Sequence, residues 1–130
     1  MILDSSAIIC VIEEEDGHHE LTAALASAAS VGAGAPTLFE TAIVLIARQG
    51  VAGRAGLLRF LGENRISSIP FGGHHWETAA DAFLRFGKGR HPARLNYGDC
   101  MTYATAHLAS YPLLCVGDDF AQTDLRLVLG

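Results

Sequence analysis

Four short strand-like runs punctuate the chain, and helical periodicities fill the intervals between them. Ile2-Leu3 ends at Asp4, Val31–Ala35 ends at Pro36, Ile66-Ser67-Ser68-Ile69 ends at Pro70, and Leu113-Leu114-Cys115-Val116 ends at Gly117-Asp118-Asp119. Short runs of this kind, bounded by Pro, Gly or Asp, read as strands buried in a sheet. The intervals carry apolar residues at helical spacing. A serine-capped helix runs from Asp4 to about Ile12, and a second passes through Leu21–Ala28. A strongly apolar helix holds Glu40 and Ala42–Ala47, stopping near Gln49-Gly50, and another holds Leu57, Leu58, Phe60 and Leu61. Trp76–Phe86 forms the next, and a last helix starts near Asp99 and continues through Met101, Tyr103, Ala104 and Leu108. The predicted order is strand, helix, helix, strand, helix, helix, strand, helix, helix, strand. Such alternation gives an α/β fold, a central parallel sheet of four to five strands with helices on both faces.

With 130 residues and 50% apolar composition, the chain suits one domain spanning residues 1–130. No repeat, linker or low-complexity stretch divides it. Its apolar stretches are too short to span a bilayer and its start lacks a basic-then-apolar signal pattern, so a cytoplasmic protein is expected. Cys10, Cys100 and Cys115 are odd in number, widely spaced and set among apolar residues, which predicts reduced, buried thiols. The doublets His18-His19 and His74-His75 have no acid at ligand spacing and read as surface residues. The acidic run Glu13-Glu14-Glu15-Asp16 reads as a solvated turn. Trp76, Phe83 and Phe86, at i, i+7 and i+10, are expected to form a core face or a dimer surface rather than a base-stacking platform.

The candidate chemistry lies in the acids. Asp4 and the pair Asp118/Asp119 stand at the carboxyl ends of predicted strands, and Glu40 and Asp99 stand in predicted first helical turns. In an open parallel sheet these positions share one edge, where ligands bind. Carboxylates gathered there repel one another unless a cation neutralises them. An oxygen-only donor set favours a hard ion, Mg²⁺ or Mn²⁺, and the chemistry suggested is phosphodiester hydrolysis. Asp4 and Asp99 are expected to ligate one ion, with Glu40 and one of the pair Asp118/Asp119 reaching it through water or completing a second site. Structural readings compete at each position. Thr37-x-x-Glu40 and Asn96-x-x-Asp99 both fit helix-capping boxes, and Gly117-Asp118 is a common turn dipeptide. A phosphoacceptor receiver domain also gathers acids at a sheet edge, but it needs a lysine after a late strand, and the only lysine is Lys88.

A net charge of −5 argues at first sight against nucleic acid. The distribution changes that. Lys88, Arg90 and Arg94 cluster in Gly87-Lys88-Gly89-Arg90-His91-Pro92-Ala93-Arg94, read as a flexible loop that leads into the Asp99 helix and is suited to guiding an RNA backbone.

Four stretches in order carry a family resemblance: Ile2-Leu3-Asp4-Ser5-Ser6-Ala7, Ala35-Pro36-Thr37-Leu38-Phe39-Glu40, His91–Asp99 with its Asn96-Tyr97-Gly98-Asp99, and Gly117-Asp118-Asp119-Phe120 with Thr123-Asp124. Together they span the chain, which resembles a PIN domain and, more narrowly, the VapC-type toxins of toxin–antitoxin systems. The resemblance implies a PIN-like three-layer sandwich and an Mg²⁺- or Mn²⁺-dependent endoribonuclease. It also implies restraint by a cognate, VapB-like antitoxin, and a homodimer. Asp4, Glu40 and Asp99 match the family's dependable acids. Asp119 matches the fourth, with Asp118 at the variable place and still open. Ser6 matches a small hydroxyl residue supporting the first acid, and Asp124 is assigned a supporting role further out. Antitoxin binding implies an exposed apolar groove on the early helices, for which Ile8, Ile12, Val44 and Ile46 are candidates. The alternative is a PIN-like module without catalysis that only binds RNA or a partner protein.

Overall fold

The computed structural model describes residues 1–129. It contains β1 (Ile2–Leu3), α1 (Ser5–Ile12), α2 (His18–Ser27), β2 (Val31–Gly34), α3 (Ala35–Gln49), α4 (Val51–Glu63), β3 (Ile66–Ile69), α5 (Gly73–Phe86), α6 (Tyr97–Ala109) and β4 (Leu113–Leu114), then a 3-10 turn at Phe120–Gln122. The expected alternation is met element for element. Local chemistry sets the boundaries. Asp4 caps α1 by accepting the Ser6 N–H, and Asn96 caps α6 by accepting the Asp99 N–H. Pro36 sits in the first turn of α3, and Gly50, at φ 62°, breaks the chain direction between α3 and α4.

All four strands are parallel in the order β3-β2-β1-β4. A further parallel bridge joins Leu113 to Leu127, with the Leu113 N–H donating to the Arg126 carbonyl at 2.9 Å, so the C-terminal segment lies along β4. Strand pleat splits the core into two. Leu3, Leu114, Val31 and Ala33 face a cluster with Ile8, Leu21, Leu25, Leu45, Leu57 and Phe60. Ile2 and Leu113 face the opposite cluster, with Ala82, Phe86, Leu95, Tyr103 and Phe120. Helices α1–α4 thus cover one face and α5–α6 the other, which is the expected three-layer sandwich. No described helix is long and apolar enough to cross a membrane.

Several local readings are corrected. Helix α3 begins at Ala35 with Gly34 as its cap, so Thr37 is not the capping residue and Glu40 lies in the second turn. Of the groove candidates, Ile8 is 0% exposed, while Ile12 packs half-buried against the same core and Ile46 is exposed. The Trp76–Phe83–Phe86 stripe divides: Phe86 is buried, whereas Trp76 is 63% exposed. The 87–94 loop is closed rather than loose, since the Lys88 N–H donates to the Leu95 carbonyl at 2.9 Å and the Leu95 N–H to the Phe86 carbonyl at 3.0 Å. All three cysteines are free, as expected, with Cys10 and Cys100 buried and Cys115 half-buried.

Helices α3 and α4 pack tightly at Gly53, where a Cβ would collide with the Leu45 backbone carbonyl. Gly62, later in α4, has open space around it. Gly53→Ala is therefore expected to lower unfolding free energy by about 1–3 kcal/mol, and Gly62→Ala to raise it by about 0.5–1 kcal/mol. Urea denaturation of the two variants checks the opposite signs.

Candidate active site

Following the chain, β1 to β2 to β3 steps to one side of the sheet, and β4 then pairs on the other side of β1. The reversal falls between the carboxyl ends of β1 and β4, the place where open α/β sheets leave a crevice. Asp4 ends β1, and the 115–119 loop that carries Asp118 and Asp119 leaves β4 beside it. The Asp4 N–H bonds the Leu114 carbonyl at 3.0 Å, tying the two exits together.

Asp4 is 6% exposed, and both its oxygens accept hydrogen bonds. Oδ2 takes the Ser6 N–H at 3.1 Å and the Ser6 hydroxyl at 2.6 Å, while Oδ1 takes the Thr102 hydroxyl at 2.9 Å. Ser6 Oγ in turn accepts the Val116 N–H at 2.9 Å, so the expected supporting residue also fastens the 115–119 loop. Glu40 reaches the same edge from α3, where its Oε1 accepts the Ser5 hydroxyl at 3.0 Å. Gly98 backs it, because a Cβ there would run into the Glu40 carboxylate.

Asp99 meets both readings of its motif. Its Oδ2 accepts the Asn96 N–H at 3.1 Å while Asn96 Oδ1 accepts the Asp99 N–H at 2.9 Å, a closed capping box. One carboxylate oxygen remains outside that box. The Asp99 carboxyl is pushed up to about 6, first by burial and then by the charges of Asp4, Asp119 and Glu40, against the downward pull of the Asn96 N–H. Of the adjacent pair, Asp119 adds to the upward push on Asp99. Burial raises the half-buried Cys115 thiol to about 12, with Asp4, Asp119 and Asp99 adding to it, so it stays a neutral thiol next to the acids.

The remaining site candidates make their contacts with other residues than the acids. Asp124 accepts the Tyr103 hydroxyl at 2.7 Å and pairs with Arg85 at 3.2 Å, which fastens the segment after the 3-10 turn to α5 and α6. Lys88, Arg90 and Arg94 are exposed on the closed loop that feeds α6, and the Arg90 guanidinium lies 5.7 Å from the Phe83 ring centre. Four residues of the site escaped the sequence reading: Ser5, Gly98, Thr37 and Thr102. Thr37 Oγ lies 3.1 Å from Thr102 Oγ. The available signal was a hydroxyl three residues from an acid on the same helix, Thr37 before Glu40 and Thr102 after Asp99. Beside the acids runs an apolar groove of two cavities, of about 360 and 770 Å³, that share Phe71, Tyr97 and Met101; Glu40 lines the larger.

Among the described residues, no three His, Cys, Asp or Glu side chains are closed into a shell that would grip an ion as they stand. The donor set nevertheless fits a hard divalent cation. It is all oxygen, it comes from four separate segments, and the charges of Asp4, Asp119 and Glu40 all act on Asp99. The penalty on Asp99 gives a sign to test. Its folded carboxyl sits near 6 against an ordinary 3.8, so the folded state holds the proton more tightly and loses stability as pH rises through that window. In EDTA, Asp99→Asn is expected to gain thermal stability relative to the unsubstituted protein between these pH values and to keep the gain above them. Mn²⁺ at neutral pH should raise the melting temperature of the parent protein and not of the variant. Parallel melting curves for the two proteins across the pH range count against the acid cluster.

A PIN domain family model matches residues 1–125. Ribonuclease VapC36 of Mycobacterium tuberculosis is 50% identical over 127 residues, covering 97% of this chain and 91% of its own. Ribonuclease VapC of Mycolicibacterium smegmatis is 34% identical over 128 residues, covering 98% and 99%. Among solved structures, Mycobacterium tuberculosis VapC20, a toxin that cleaves the sarcin–ricin loop, superposes with a TM-score of 0.77 at 18% identity, over 98% of this chain and 97% of that one. VapBC2 from Rickettsia felis, bound to a promoter DNA fragment, gives 0.77 at 14% identity, over 97% and 95%. With its fold, its acid-bearing sheet edge and these relatives in agreement, the chain belongs to the PIN-domain family.

Proposed function

We propose that residues 1–130 act as one unit, the toxin of a toxin–antitoxin pair, hydrolysing RNA phosphodiester bonds as a divalent-metal-dependent endoribonuclease in the cytoplasm. The observation that carries this reading is the gathering of Asp4, Glu40, Asp99 and Asp119 from four segments at the β1/β4 reversal, with Asp99 under the charge of the other three. Relatives at 50% and 34% identity named as ribonucleases support the activity.

Asp4 and Asp99 are the residues that would hold Mg²⁺ or Mn²⁺ directly, with Glu40 and Asp119 steadying it from the other walls. When bound, such an ion supplies Lewis acidity toward a phosphate oxygen and lowers the pKa of water. The chain's own work is to orient. Ser6 and Thr102 fix the two oxygens of Asp4, Ser5 fixes Glu40, and the capping box leaves Asp99 one oxygen to offer. Lys88, Arg90 and Arg94 attract the RNA backbone toward the start of α6. A VapB-like antitoxin as the partner is supported by the likeness to VapBC structures. A homodimer is supported by an unpartnered apolar face on which Phe39, Ile43, Trp76, Phe83 and Tyr97 are exposed.

Purified antitoxin-free protein is expected to make discrete cuts in a structured RNA pool with Mg²⁺ or Mn²⁺ and none in EDTA. Asp4→Asn and Asp99→Asn should abolish the cuts while leaving circular dichroism unchanged. Cutting that survives both substitutions overturns the assignment of those acids, and absence of cutting from folded protein under all conditions favours a module that only binds. Arg90→Glu with Arg94→Glu is expected to weaken RNA binding and flatten its salt dependence. An unaltered slope of affinity against salt removes the loop from the RNA interface.

A further inference from the structure

Buried threonines in helices commonly return their hydroxyl to the carbonyl one turn back, and two here do so: Thr41 to Thr37 at 2.8 Å and Thr105 to Met101 at 3.0 Å. Thr102 is equally buried, at 1% exposed, but its hydroxyl crosses from α6 to Asp4 instead. A hydroxyl has one proton to give. Because Thr102 gives its proton to Asp4 Oδ1, the 3.1 Å contact between Thr37 and Thr102 must be donated by Thr37. The bonds therefore run in one direction, from Thr37 to Thr102 to Asp4 Oδ1. They meet a second run, from the Val116 N–H to Ser6 to Asp4 Oδ2, on the same carboxylate. Each link belongs to a segment that also bears an acid. Thr37 shares α3 with Glu40, Thr102 shares α6 with Asp99, and Val116 lies on the loop with Asp119.

We propose that Thr102, backed by Thr37, is a positioning residue that fixes the orientation of Asp4 toward a divalent ion and keeps α3 and α6 in register across the site. This rests on the reading of Asp4 as an ion-holding residue. Thr102→Val preserves side-chain shape but leaves Asp4 Oδ1 and the Thr37 hydroxyl without a partner. Thr102→Ser keeps the hydroxyl and loses only a methyl group.

The test is calorimetric titration of metal-free protein with Mn²⁺ in the absence of RNA, with melting in EDTA to show that each variant is folded. The unsubstituted protein should bind and Asp4→Asn should not. Failure of the unsubstituted protein to bind Mn²⁺ overturns the metal reading and this proposal with it, before any threonine variant is considered. Given binding, Thr102→Val is expected to weaken Mn²⁺ affinity about tenfold, and Thr102→Ser to restore most of it. Thr37→Val should cause a smaller loss. In the Thr102→Val background Thr37→Val should cause no further loss, because the link it removes is already severed. If Thr102→Val does not fold, Thr37→Val and Thr102→Ser carry the test. Parent-like affinity in Thr102→Val, loss of affinity in Thr102→Ser, or independent, additive losses at the two threonines each overturn the proposal while leaving the metal reading standing.

Discussion

Everything at the functional edge depends on holding a buried carboxylate, Asp4, at the end of a two-residue strand. Removing a carboxylate from water without partners costs several kcal/mol. Three hydrogen bonds to its oxygens, each worth about 1.5–3 kcal/mol when the acceptor is charged, are of the size needed to offset that. Their donors come from α1 and α6, and a fourth bond passes the restraint on to the loop after β4. The sheet order, the parallel register of β1 with β4 and the α3–α6 contact are therefore not independent of the chemistry. They are the means by which one side chain is kept buried and correctly turned.

Much of this was legible in the sequence, and the limits have physical causes. The order of elements was readable because short β-type runs stop at Asp4, Pro70 and Gly117, and the helices between them keep their period. The acids were readable because they stand where strands end or helices start. The exact role of Asp99 was not, since a capping box and an ion-facing carboxylate require the same residue at the same offset. Here one oxygen closes the box and the other stays outside it. The start of α3 was misread because Thr37-x-x-Glu40 imitates a cap, while Pro36 had already opened the helix. Thr37 and Thr102 lie 65 residues apart, and no local pattern announces a pairing at that range. Ile8 could not be told from a surface residue because an amphipathic helix carries the same residue types on a core face as on a docking face.

The molecule also separates its two kinds of surface. Acid lies at the sheet edge, while the exposed apolar groups of α3 and α5 meet Tyr97 and Met101 alongside it. Glu40 belongs to both, lining the larger cavity and accepting from Ser5. A partner seated in that groove would touch the wall of the acidic site without entering it. The basic loop that leads into α6 completes an arrangement in which opposite charges occupy different segments of a chain of net charge −5.

Asp4 and Thr102 are separated by 98 residues, and the loop that Ser6 fastens is further along still. Contacts of that span form only after most of the chain is present. When the first three strands and α1–α4 have just left the ribosome, the segments that bear Asp99 and Asp119 have not. A partial chain of that length has Asp4 but not β4 beside it, nor the residue that bonds its Oδ1, nor two of the four acids. The acid-bearing edge is thus assembled late, when the segments from α6 onward join a sheet whose first three strands and four helices are already in place.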